Sequence, residues 1–150
     1  MKYNDKTHTA YNEAGHTVAY YYFGIPLISV TIIPDNEGND GLTTPEDKEG
    51  IDIEILIMIS FAGPSAEQIC LGKVDPGAVG DIRNPRMYDY SDAEFLEFEN
   101  QITAVLKRPK YHYAVEKLAN ELLSKSFIDG KTAFLIIENA IKEYMNREDV

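Results

Sequence analysis

The sequence is short of cysteine, of basic charge and of long apolar runs. Cys70 is its one cysteine, which excludes an intramolecular disulfide and a cysteine-rich zinc site. It lies in an apolar stretch, where a buried structural thiol is expected rather than a nucleophile. Fourteen basic residues stand against 25 acidic ones, for a formal net charge of −11. That balance argues against nucleic acid and anionic membrane surfaces as partners. The most apolar run, Ile55 to Gly63, falls well short of the ~20 residues a membrane span needs. Met1 to Ala10 is polar and lacks the apolar core of a signal peptide. The expectation is a soluble, cytoplasmic protein without a membrane partner. There is no internal repeat and no low-complexity segment. Gly130-Lys131-Thr132 has Lys125 where a phosphate-binding loop places its earlier glycine, so no nucleotide site is expected.

What is present fits one globular domain over residues 1–150, with a real core. Hydrophobic residues make up 44% of the chain, above what disordered segments carry. Asp5 or Thr7 can cap a first helix running to about Tyr22, with Ala10, Ala14, Val18 and Tyr21 on its buried stripe. Gly24 and Pro26 end it. Ile28 to Ile33 is β-branched and bounded by prolines, which predicts a strand. Asp35 to Glu54 holds eight acids and one lysine and reads as an exposed loop in its first half, with a short edge strand at Gly41 to Thr44.

Ile51 to Leu71 has strand composition but the length of a buried helix. Gly63-Pro64 is a point where it can kink or break, and Gly72 is a stop. Three helices are expected to follow. The Ser91-x-x-Glu94 pattern opens one that runs to about Leu106. Pro109 starts the next, with Val115, Leu118, Ala119, Leu122 and Leu123 on its apolar stripe. Asp129 caps the last. The ten tyrosines are expected to serve packing or interfaces rather than catalysis.

The chemistry-bearing stretch is Ala10-Tyr11-Asn12-Glu13-Ala14-Gly15-His16. It is one residue short of the H-E-x-x-H signature. In that signature two histidines one helical turn apart bind zinc, and the glutamate deprotonates a metal-bound water. Glu13 and His16 fill their positions, while Asn12 stands where the first histidine would be. An amide oxygen is a neutral donor that suits harder ions than zinc. His8 lies one turn before Asn12, but it is about 12 Å from His16 along the helix axis, too far for both to reach one ion on an undistorted helix. His112 reads as a surface or packing residue.

Five segments in order resemble the peptidase domain of the FtsH family of ATP-dependent zinc peptidases. Ala10 to His16 is similar to its A-Y-H-E-A-G-H helix, and Val30-Thr31-Ile32-Ile33-Pro34 to the strand that follows. Phe61 to Ile69 with Gly72 resembles the G-G-R-A-A-E-E segment, and Gly77-Ala78-Val79-Gly80-Asp81-Ile82 the G-A-x-N-D motif. Tyr113 to Gly130 resembles the closing helical hairpin. The resemblance implies an α+β, mostly helical, zincin-like fold with a small β-sheet and a C-terminal helical bundle. Residues 1–90 would carry the motifs and 91–150 the C-terminal helices.

The same resemblance implies zinc as cofactor, held at the positions of Asn12, His16 and Asp81, with Glu13 as general base. The function it implies is hydrolysis of peptide bonds in a polypeptide substrate, impaired or abolished by Asn12. Gly80 and Pro85 are further departures from the family pattern around Asp81. The alternative is a non-catalytic module that keeps the fold and binds peptides or forms a homo-oligomer.

Overall fold

A computed structural model of the chain describes residues 6–74 and 89–148. Among these residues five helices and three short strands follow the order α1 (Lys6–Phe23), β1 (Leu27–Thr31), β2 (Leu42–Pro45), α2 (Ile53–Leu71), α3 (Asp92–Leu106), α4 (Pro109–Lys125), β3 (Phe127–Asp129) and α5 (Gly130–Glu148). The architecture is α+β and mostly helical, with one small sheet.

Local chemistry sets most of the ends. Gly24 takes a left-handed φ of 72°. Its N–H donates to Tyr21 O and that of Ile25 to Tyr20 O, the paired bonds that close a helix on a left-handed glycine. Asp52 caps α2 by accepting the Glu54 N–H, and Gly72 ends it at φ 80°. Ser91 and Glu94 exchange the reciprocal bonds of a capping box at the start of α3. Pro109 opens α4 at a position where its missing N–H costs nothing.

Three expectations are corrected. Pro64 lies inside α2, which runs on as one helix instead of breaking at Gly63-Pro64. The first strand stops at Thr31 and not at Ile33, with Ile32 still donating its N–H to Ser126 O. Leu123 is exposed, while Leu122, about 100° away around the helix, is wholly buried.

The third strand was not anticipated. Ser126 turns the end of α4 through a left-handed φ of 66°, which aims Phe127–Asp129 back along β1. The sheet order is β2-β1-β3, antiparallel throughout. Val30 pairs with Thr43 on one side and Ile128 on the other, and Val30 and Ile128 are buried. Helices cover that face. The core runs from the sheet through Val18, Ile57, Ile102, Leu118, Leu122 and Ile137, all fully buried. Tyrosines fill its margins. Tyr21 meets Phe134 edge-on with ring centroids 5.3 Å apart, and Tyr113 donates to Glu143 at 2.6 Å.

Candidate functional site

The site is built where α1 crosses α2. The two backbones approach closely because glycine stands at two points of contact. A Cβ on Gly15 would fall 2.5 Å from both Ala62 O and Ala66 Cβ. On the opposite helix, a Cβ on Gly63 would overlap His16 Nε2 and lie 2.8 Å from Asn12 Nδ2. Asn12 and His16, one turn apart on α1, therefore converge over the bare backbone of Gly63.

Each of the two has its proton positions dictated by its partner. His16 Nδ1 is 2.7 Å from Ile59 O. A carbonyl only accepts, so Nδ1 carries the hydrogen and the neutral ring leaves a lone pair on Nε2. That is the tautomer in which a histidine serves as a metal ligand. Asn12 Nδ2 donates to Glu67 Oε2 at 2.7 Å. A carboxylate likewise only accepts, so the amide is turned with its NH₂ toward Glu67.

Glu67, on α2, is the buried partner of this cluster that sequence reasoning passed over, although it lies in the Phe61–Ile69 segment singled out above. It is fully buried. Its Oε1 is 2.7 Å from His8 Nδ1 and its Oε2 takes the Asn12 bond. Burying an ionised carboxylate costs far more than burying an amide unless donors replace its water, and these two side chains supply donors. His8 is thus engaged by Glu67 across the helix contact. His112 stands on the surface, with Nε2 3.9 Å from Glu116 Oε1 in an exposed pair.

Glu13 points toward the sheet. It is buried, and its Oε1 accepts the Thr43 hydroxyl of edge strand β2 at 2.7 Å. Thr17 donates its hydroxyl to the Glu13 carbonyl at 2.7 Å. Gly41, just before β2, comes so close that a Cβ there would lie 2.9 Å from Glu13 Cγ. The structure thus brings Asn12, His16 and Glu13 to one end of the α1–α2–β2 junction. Asp81 and the Gly77–Ile82 motif lie outside the described residues.

A catalytic zinc takes three protein ligands and leaves one position open. Among the described residues no group of three or more His, Cys, Asp or Glu side chains is placed to hold a metal ion. His16 Nε2 fits the role. Asn12 fits poorly: its Nδ2 bears hydrogens and is held by Glu67, which leaves only the neutral amide oxygen, a donor that suits harder ions than zinc. The described donor set therefore does not fit the family's zinc centre.

No family model matches the chain. Individual relatives do. It is 26% identical over 198 residues to the ATP-dependent zinc metalloprotease FtsH 1 of Bdellovibrio bacteriovorus, a match that covers 95% of this chain and 31% of the relative. The chain resembles the FtsH zinc metalloproteases. It is also 37% identical over 81 residues to the FtsH protein of Marinobacter nauticus, covering 49% of the chain and 13% of that protein. With the mitochondrial FTSH 10 protein of Arabidopsis thaliana it shares 26% identity over 100 residues. The FtsH-like chain spans less than a third of the length of these relatives.

Proposed function

We propose that this chain is an FtsH-like peptidase domain whose metal-dependent hydrolysis is weakened or lost. The observation that carries the reading is the Asn12–Glu67 hydrogen bond. The side chain standing where the resemblance puts a ligand histidine is committed to a buried carboxylate. Loss even of residues that only orient a ligand costs ~10–100-fold in metal affinity, and loss of an imidazole ligand costs at least that. A polypeptide remains the substrate class for any residual activity, as the relatives' description as metalloproteases suggests.

The test is metal analysis of protein purified without chelator, followed by a zinc titration and an assay on an unfolded polypeptide. Substoichiometric metal and no cleavage are expected. Stoichiometric zinc bound at micromolar affinity or tighter overturns the reading.

A second reading, a peptide-binding or self-associating module without chemistry, is favoured by the outer face of the sheet. Leu42 and Phe127 both pair with Thr31, and both are exposed, as is Ile28 on β1. Sedimentation of the chain and of its Leu42→Ser, Phe127→Ser variant separates the two readings. A dimer that the substitutions dissolve supports the module, and a monomer in both cases counts against self-association.

A further inference from the structure

We infer that the basic patch where α3 meets α4, formed by Lys107, Arg108 and Lys110, docks an acidic peptide segment of a partner protein. Carboxylates outnumber cations on this chain by 25 to 14, so a surface cation has many acids to pair with. Lys117, Lys125, Lys142 and Arg147 each meet one at 3.3–3.8 Å. Among the described residues no ion pair involves Lys107, Arg108 or Lys110. The sequence supplies the reason. It holds no acid between Glu99 and Glu116, and Glu116 stands 3.9 Å from His112. Lys107 and Arg108 are exposed and Lys110 is half-buried. Lys6, Lys48, Lys73 and Lys131, which also lack an ion pair, are scattered along the chain.

Rings hold the patch in place of carboxylates. The Arg108 guanidinium carbon is 5.8 Å from the centre of the Tyr22 ring, and Lys110 Nζ is 5.1 Å from that of Tyr111. The two rings meet edge-on at 5.6 Å. A ring face attracts a cation without neutralising it, so the positive charge stays available to an outside anion. Side chains already resting on a ring also have less rotamer freedom to lose on binding. Tyr22 is partly exposed and adds apolar surface beside the charges. It lies ten residues along α1 from Asn12, about 15 Å at 1.5 Å per residue, so this surface is separate from the site described above.

The net charge of −11 selects the kind of anion. At physiological ionic strength charges are screened over ~8 Å. A peptide narrow enough to touch only the patch feels its three cations and little of the rest. A flat anionic bilayer would press against the surrounding carboxylates as well. An extended peptide places every second side chain on one side, so six successive glutamates offer three carboxylates to three cations.

The probe is labelled hexaglutamate, titrated into the full chain at about 0.15 M salt and followed by fluorescence anisotropy. Saturable binding is expected. Lys107→Gln, Arg108→Gln, Lys110→Gln together is expected to weaken it roughly tenfold, the effect of three exposed ion pairs. Lys6→Gln, Lys48→Gln, Lys131→Gln removes the same charge elsewhere and is expected to change it less than about twofold. No saturable binding, an equal loss in both triple variants, or equal binding of hexaglutamine overturns the inference. Amide NMR of the unsubstituted chain decides the matter if the first variant fails to fold. Hexaglutamate is expected to shift Tyr22, Arg108 and Lys110 first, and shifts centred elsewhere overturn the inference. Phosphatidylserine vesicles that bind through the same three cations more tightly than the peptide also overturn it, by assigning the patch to a membrane.

Discussion

Asn12 Nδ2 meets Glu67 Oε2 at 2.7 Å across the contact of α1 with α2, and Glu67 has no exposed surface. The bond therefore stabilises two things at once, a buried charge and a helix crossing. Asn12→Ala removes a donor to an ionised acceptor that water cannot easily replace. Hydrogen bonds to charged groups are worth roughly 1.5–3 kcal/mol, and the variant is expected to lose about that much in urea unfolding. A loss below about 0.5 kcal/mol, the range of neutral surface changes, would mean that solvent or a neighbour takes over the donation.

The helix crossing itself depends on Gly15. Its absent Cβ would meet the Ala62 carbonyl and the Ala66 methyl at 2.5 Å. Neither is the flexible end of a long side chain, so the backbones must part. Overpacking of this kind costs about 1–3 kcal/mol, against a gain of ~0.5–1 kcal/mol when alanine replaces glycine in a helix. Gly15→Ala is expected to lower the melting temperature and to lengthen the Asn12–Glu67 contact. A higher melting temperature would show that the two helices have slack at this point.

Sequence reasoning succeeds here where the signal is local and fails where it depends on packing. The ends of α1, α2, α3 and α4 are marked by Gly24 and Pro26, by Gly72, by Ser91 with Glu94, and by Pro109, all within one turn of the ends they set. Strand β3 has three residues, and Phe127 pairs with Thr31 far away in the chain. Neither length nor periodicity distinguishes so short a segment from a loop. Asn12, Glu13 and His16 share a helix, and their spacing puts them on record as a motif. Glu67 is 55 residues from Asn12 and 59 from His8. Its part in the site exists only once α1 lies on α2. The Phe61–Ile69 segment carried the hint, because an acid inside an apolar helix needs a partner.

Cys70 offers a chemical check on the packing behind α2. Burial, and then the negative charge of Glu116, push its thiol up to about 12. The thiolate is the reactive form, so at pH 8 its population is on the order of a thousandfold below that of an ordinary cysteine near 8.5. Iodoacetamide is expected to leave Cys70 almost untouched in the folded protein and to modify it quickly in urea. Rapid alkylation without denaturant would show that the thiol is open to solvent.

Tyr20 reports from the other side of α1. Its hydroxyl is raised from 10.0 to about 12, first by burial and then by the charge of Glu13. A raised folded value means that the fold favours the protonated phenol. That contribution is fully present below about pH 10 and is lost as pH rises toward about 12. Tyrosinate absorbance against pH should therefore show a late-ionising component that disappears in Tyr20→Phe and in urea. Glu13→Gln should bring that component to a lower pH without abolishing it, because burial is the larger cause and the carboxylate the smaller. A component that moves the full distance to the ordinary value near 10 would reverse that order. It would make the charge of Glu13, rather than the packing of α1 against the core, the dominant influence on this end of the site.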